Sequence, residues 1–417
     1  MAVPIPGRSK NNERSQIHPA VGGLRLEYVG KKDAEVILAT RPGRYTPGEE
    51  HKGGGNRLYH ADNLPVLASL AQDPTVVGKV KLVYIDPPYA TAATFESRKQ
   101  EHAYDDHLVG SGFVEALRER LVFIHRLLAD DGSLYLHLDA RMAFHLRVIL
   151  DEIFGEENFR NCITRKKCNP KNYTRKTYGN VSDYILFYTK SSDYVWNRPI
   201  EPWDDARAAK EYQNVDGDGR RYKKVPVHAP GVRNGETGRP WRGKSPPPGK
   251  HWQYPPSTLE QMDERGEIYW SPTGNPRRKL YFESSEGVPL QDIWMDLRDA
   301  HNQNIHVTGY PTEKNPALLA RIIEASSNPG DLVMDCYAGS GTTLAVSSNL
   351  DRAWIGVDRS DEAIRTAIHR LKHGTERMGD FVKDRTQQTP LPMFDDSDFT
   401  LFLEVEALAG IEGRCRQ

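Results

Sequence analysis

Two stretches of this chain carry residue types at spacings that can do chemistry. The first is Val83-Tyr84-Ile85-Asp86-Pro87-Pro88-Tyr89. Three apolar residues run into an acid, two prolines and an aromatic ring. The prolines forbid the strand from continuing and hold the backbone stiff and extended. Asp86 and Tyr89 are thereby held at the carboxyl edge of a sheet, where open α/β folds place their ligand crevice. A carboxylate beside an aromatic face suits a flat heterocycle carrying an amino group, the acid accepting from the amine while the ring stacks. On these residues alone, a strand followed by a proline turn is an equal reading.

The second stretch is Asp335-Cys336-Tyr337-Ala338-Gly339-Ser340-Gly341-Thr342-Thr343. It lies between an apolar run, Leu332 to Met334, and a helix expected from Thr342. Glycines here let the backbone approach a ligand, and a helix N-terminus favours polar or anionic groups. A following strand, Trp354 to Val357, ends at Asp358, an acid placed to accept from ribose hydroxyls. A dinucleotide or S-adenosylmethionine would suit the loop. The third glycine of G-x-G-x-x-G is missing, which counts against a dehydrogenase, and no Gly-Lys-Ser/Thr follows, so it is not a P-loop.

The elements that position these stretches read as alternating strands and helices. Asn56–His60 is a short strand, Leu64–Leu70 a short helix and Val80–Ile85 the strand that delivers Asp86. Thr91 to Ser111 is polar and reads as a long loop over the site. Phe113, Leu117, Leu121, Ile124 and Leu128 share a helix face that Asp131-Gly132 ends. Ser133–Leu138 is a strand and Met142–Ile153 a helix. The alternation predicts a parallel sheet with right-handed crossovers. It breaks after Asp183–Tyr188, resumes with a helix bearing Leu318, Leu319, Ile322 and Ile323, and continues through the glycine loop. Between the halves lies a Pro-, Gly-, Trp- and Arg-rich insertion. The expected division is an arm over 1–22, one catalytic half over 23–190, the insertion over 191–290, the second half over 291–383 and a tail over 384–417. The tail's apolar patch, Phe399 to Leu408, has no role that the sequence assigns.

The chain has 417 residues, 38% hydrophobic and 27% charged, with a net charge of −1. Two packed regions fit that length. No apolar run approaches the ~18 residues of a membrane span and no signal-peptide core is present, so the expected location is the cytoplasm. Cys162, Cys168, Cys336 and Cys415 form no C-x-x-C pair and no zinc spacing, and read as reduced thiols. The charge is uneven: from Arg160 to Lys250 there are 20 Lys/Arg against 9 Asp/Glu, interleaved with aromatics. That pattern points to a nucleic acid partner for this part.

Together these pieces resemble the permuted β class of DNA amino-methyltransferases, which act on adenine N6 or cytosine N4. The resemblance rests on Asp86-Pro87-Pro88-Tyr89 in the first half, the Asp335–Gly341 loop in the second, and Pro311-Thr312-Glu313-Lys314-Asn315 before it. Two departures are Cys336-Tyr337 for the common Pro-Phe and Asn315 for the usual Pro. The resemblance implies an α/β fold: a Rossmann-like class I methyltransferase sheet in circularly permuted order, with a β-rich target-recognition insertion. It implies S-adenosylmethionine as cofactor, double-stranded DNA as substrate, and no metal. A homodimer and a cognate restriction enzyme or subunit are further partners it suggests.

Residue by residue, the resemblance implies that Asp86 accepts from the exocyclic amine of a flipped base. The Pro87 carbonyl takes the second amine hydrogen, Pro88 stiffens the loop, and Tyr89 stacks. Asp335, Tyr337, Gly339, Ser340, Gly341 and Thr342 line the cofactor pocket. Asp358 holds the ribose, Asp62 the cofactor adenine, and Thr312 and Lys314 close the methionine end. Asp62 reads equally well as a helix N-cap before Leu64. Arg165, Lys166, Lys167, Lys171, Arg175 and Lys176 are candidates for DNA phosphate contacts, while Arg239, Trp241, Arg242 and Lys244 could enter a groove. Asp rather than Ser before Pro-Pro-Tyr leans toward adenine, with cytosine N4 as the alternative.

Overall fold

The computed structural model describes residues 23–48, 53–88, 110–169, 176–299, 313–374 and 398–405, and the backbone of 94–96 and 102–105. The expected arm over 1–22 lies outside the described residues. The chain divides into two compact units, Arg198–Leu290 and the remainder.

The larger unit is built on a ten-stranded sheet. Its strands are β1 (Tyr45–Pro47), β2 (Asn56–His60), β3 (Val80–Ile85), β4 (Leu128–Leu138), β5 (Phe159–Lys166), β6 (Ser182–Thr189), β7 (Ile293–Trp294), β8 (Leu332–Asp335), β9 (Ala353–Asp358) and β10 (Phe399–Glu404). Their spatial order is β1-β10-β2-β9-β8-β3-β4-β6-β5-β7. From β10 to β4 every neighbour is parallel. Strand β6 then runs antiparallel to both β4 and β5. The central pair joins the halves of the chain: β8 lies beside β3, with Val333 opposite Leu82 and Met334 opposite Val83. One sheet is thus assembled in permuted order, and both chemical loops leave it at the same edge.

Strand β3 is buried at five of its six positions because helices cover both faces. On one side Val83 and Ile85 pack with Phe113, Leu117 and Leu121 of helix α2 (Ser111–Leu127) and with helices α1 (Asn63–Leu70) and α3 (Ala143–Phe154). On the other, Leu82 and Tyr84 pack with Leu318, Leu319, Ile322 and Ile323 of α4 (Pro316–Ser326). Helices α5 (Thr342–Asn349) and α6 (Asp361–His373) pack around Leu58 and Trp354. Asn315, the departure from the usual proline, has a local reason: its side chain caps α4 by accepting from the Ala317 amide at 3.0 Å.

Four expectations change. Helix α2 stops at Leu127, and Leu128 already opens β4. Asp131-Gly132 lies in a register shift at the start of that strand, where a Cβ on Gly132 would meet the Val80 carbonyl at 2.8 Å. The expected loop over 91–111 contains a short antiparallel pair, Thr94–Glu96 with His102–Asp105. Part of the tail is a sheet strand: β10 lies between β1 and β2, parallel to β2. Residues before Arg198 group with the larger unit, where the Asn197 amide donates to the Ala325 carbonyl at 2.8 Å.

The unit Arg198–Leu290 has a four-stranded antiparallel sheet: Asn214–Val215, Arg221–Pro226, Pro276–Tyr281 and Ile268–Trp270, in that order. Its core is small and aromatic, with Val227, Trp241, Trp252, Leu259, Met262 and Ile268 buried together. Among the described residues no helix is long and apolar enough to cross a membrane.

Candidate active site

Asp86 follows the last residue of β3 and is half-buried, its side chain 17% exposed. Lys314, from the turn that enters α4, puts its ammonium 2.7 Å from Asp86 Oδ2. The resemblance placed Lys314 at the methionine end of the cofactor; here its partner is the acid itself. His137 of β4 is fully buried, with Nδ1 3.9 Å from Asp86 Oδ1 and 2.8 Å from the Tyr84 hydroxyl. Its Nε2 is 3.0 Å from Asp183 on β6. Asp183 can only accept, so the ring carries a hydrogen on Nε2.

Arg165 continues this buried chain. Its guanidinium donates to Asp183 at 3.1 Å, to Asp299 at 2.7 Å and to the Leu297 carbonyl at 2.7 Å. Burial alone would raise the Asp183 carboxyl, but His137, Arg165 and Lys314 outweigh it and hold that acid well below the usual carboxylate range. Arg165 is 0% exposed, which corrects its candidacy as a phosphate contact. Residues of β5 alternate between faces, and Arg165 shares the buried parity of Ile163. Lys166 and Lys167 are half-buried and Lys176 is exposed. Tyr89, Lys171, Arg175 and Thr312 lie outside the described residues.

The glycine loop leaves β8 next door. Asp335 is buried and spends its carboxylate on the loop, accepting from the Tyr337 amide at 2.9 Å and the Thr343 hydroxyl at 2.6 Å. Burial pushes its carboxyl up to about 7, against those two hydrogen bonds. It shapes the loop from beneath. Gly339 and Gly341 have φ of 49° and 72°, and a Cβ on Gly341 would come within 2.8 Å of Ala367 Cβ on α6. Tyr337 is half-buried, whereas Ser340 and Thr342 are buried with their hydroxyls 3.2 Å apart. Asp358, at the end of β9, accepts from the Gly339 amide at 2.8 Å and the Ser360 amide at 2.9 Å. Burial raises its carboxyl despite those bonds. Asp62, at the end of β2, caps α1 through Leu64 at 2.9 Å, yet its side chain stays 47% exposed.

Sequence reasoning passed over His137, Asp183, Glu313 and Arg370. Arg370 of α6 is buried, pairs with Glu313 beside Lys314, and reaches the Ser340 hydroxyl at 3.4 Å. It thus ties the Lys314 turn to the glycine loop. The available signal was polarity inside apolar strands: His137 in Leu134–Leu138 and Asp183 before Tyr184–Tyr188. In the other unit, Trp241 is 4% exposed and donates to Glu260 at 2.7 Å. This corrects its expected entry into a groove; it is a core residue. Arg242 is held by Glu260 and Asp263. Lys244 reaches the Thr273 carbonyl at 3.5 Å, and Arg239 is exposed.

An acid clamped at the end of one central strand thus lies beside a glycine loop at the end of its neighbour, where open α/β sheets place their ligand crevice. A family profile described as DNA methylase, of the N6/N4 methyltransferases, matches residues 80–369. The type II methyltransferase M.EcaI of Enterobacter cloacae is 44% identical over 403 residues, covering 93% of this chain and 88% of that protein. The type III restriction-modification enzyme StyLTI Mod subunit of Salmonella typhimurium is 25% identical, covering 78% of this chain and 56% of that one. A crystal structure of an M1.HpyAVI–SAM complex is 19% identical with a TM-score of 0.40, covering 76% of this chain and 99% of that one. This chain belongs to the N6-adenine/N4-cytosine DNA methyltransferase family. It is a DNA methyltransferase, and its family uses S-adenosylmethionine.

Proposed function

We propose that this chain methylates N6 of an adenine flipped out of duplex DNA, with Asp86 as the acceptor that orients the amine. The observation that carries the reading is the fixed, half-buried carboxylate of Asp86, ion-paired to Lys314 at 2.7 Å and followed by two prolines. An exocyclic amine donates two hydrogens, and this loop offers two kinds of acceptor, the Asp86 carboxylate and the Pro87 carbonyl. Accepting both raises electron density on the nitrogen and stabilises the positive charge that develops there. Lys314 keeps the carboxylate in one place, so alignment is built in before the base arrives. Tyr89, next in the chain, stacks on the base in this reading. Flipping is needed because the amine is otherwise inside the duplex. Asp at position 86 supports adenine over cytosine.

The residues around the glycine loop suit S-adenosylmethionine, which supplies a methyl group on a sulfonium sulfur when bound. Asp358 offers carboxylate oxygens with lone pairs beyond the two backbone amides already bound, enough for ribose hydroxyls. Asp62 is exposed enough to meet the adenine, and Tyr337 provides a ring. Gly339 and Gly341 shape the turn into α5. The unit Arg198–Leu290 is the target-recognition region in this reading, and a cognate restriction enzyme and a homodimer are its further partners.

The test is to incubate the chain with unmethylated genomic DNA and isotopically labelled S-adenosylmethionine, then digest to nucleosides. Label in N6-methyldeoxyadenosine is expected. Label in N4-methyldeoxycytidine would move the target to cytosine, and unlabelled DNA would overturn the reading.

A further inference from the structure

We propose that the outer face of the four-stranded sheet in Arg198–Leu290, centred on Lys224, Tyr269 and Arg277, is the surface that holds the phosphate backbone of duplex DNA. This deepens the DNA methyltransferase reading above and rests on it. The strand registers put Pro226, Arg277 and Tyr269 in one row and Lys224 and Lys279 in the next row of the same face. The opposite face carries Ile268 and Trp270, which belong to the tryptophan-rich core. The Lys224–Arg277 face is therefore the one turned away from that core.

Lys224 and Arg277 differ from the other cations of this unit, including Lys279 on the same face, which are paired. Arg242 is held by Glu260 and Asp263, Arg220 by Asp218, Lys223 by Glu211, Arg265 by Glu267 and Lys279 by Asp216. Lys224, Arg277 and Lys250 have no carboxylate within 4.0 Å among the described residues. Lys224 instead lies over the Tyr269 ring, 3.7 Å from its centroid. Lys250 extends the patch: its strand pairs with His228–Pro230, and burial together with the fields of Lys250 and Arg277 lowers the His228 ring's proton affinity. Unpaired cations gathered around a ring fit a regular polyanion, whose phosphates exchange condensed counterions for Lys and Arg. Those sequence candidates whose positive charge is already neutralised, such as Arg242, have less to offer.

The experiment uses the full chain carrying Lys224→Glu and Arg277→Glu together, with Arg220→Glu, in the turn before Arg221–Pro226, as a control for a paired cation of the same unit. Binding to a fluorescein-labelled mixed-sequence duplex is followed by anisotropy across salt concentrations. Binding of S-adenosylmethionine and transfer to genomic DNA are measured in parallel. The double variant is expected to bind duplex about tenfold or more weakly, with the salt slope reduced by about two. S-adenosylmethionine affinity should stay within about twofold of the parent, and the melting temperature unchanged. Unchanged duplex affinity and slope, in a chain whose parent methylates DNA, would overturn the surface and leave the methyltransferase reading standing. A parent that neither binds duplex nor transfers methyl would overturn both.

Discussion

In the larger unit several paired charges lie inside: Arg165, Asp183, Lys314, Glu313 and Arg370 are all buried. In Arg198–Leu290 the largest buried side chains are Trp241 and Trp252, while Lys250 and Arg277 are exposed and Lys224 is half-buried. The difference follows from what each must hold still. Methyl transfer depends on the position of one carboxylate to within a fraction of an ångström, and buried ion pairs with fixed hydrogen bonds supply that at a cost in desolvation. Backbone recognition of DNA needs charge within reach of phosphates, and long solvated side chains on a small aromatic core supply it.

The sharpest way to break this contrast is at Asp86. Asp86→Ala should reduce methyl transfer by about 10³-fold or more, while circular dichroism and S-adenosylmethionine binding persist. Near-normal turnover would remove Asp86 from the centre of the site. Next comes the network behind it. Asp183→Ala leaves Arg165 buried with fewer partners and His137 without an anchor, so urea unfolding should show a loss of about 3 to 5 kcal/mol. A variant as stable as the parent would mean that the buried charges contribute nothing to the fold. In the other unit, Trp241→Ala should cost about 3 kcal/mol, because it empties the centre of a small core. Limited proteolysis should then cut within 198–290 first, with S-adenosylmethionine binding retained. Loss of binding instead would show that the two units share one stability.

The last effect is one of pH. Burial pushes the Asp335 carboxyl up to about 7 from an ordinary 3.8, so the folded chain keeps a proton that the unfolded chain has released. The stability this contributes is complete below the unfolded value and is lost as pH rises through about 7. Asp335→Asn should therefore flatten a slope of about 1 kcal/mol per pH unit between pH 4 and 7, read from urea unfolding at each pH. An unchanged slope would mean that Asp335 ionises normally beneath the glycine loop.

The central strands, the helices and both loops were legible in the sequence because their signals are local: alternation, a 3.6-residue period, prolines and glycines at turns. What escaped depends on pairing between distant segments. Arg165-Lys166-Lys167 reads as a basic patch until the register of β5 with β6 turns the first residue inward beside Asp183. Trp241 resembles a nucleic-acid contact by its arginine neighbours, yet it packs with Trp252 and Trp270. Lys314 reads as closing the methionine end of the cofactor until β3 and α4 are brought together and Asp86 becomes its partner. His137 and Asp183 lie 46 positions apart (183 − 137), and only the β4–β6 pairing makes them neighbours.

Strand β10 bears on how the molecule is made. During synthesis β1 and β2 leave the ribosome early, but the strand that belongs between them, Phe399–Glu404, is translated more than three hundred residues later. Until then β2 has an open edge with unpaired amides and carbonyls, a template for the wrong partner. The nascent chain must carry that edge through translation of the Asp86 loop, the unit Arg198–Leu290 and the glycine loop. Its final zipping is a long-range event of the kind that makes parallel sheets slow to fold.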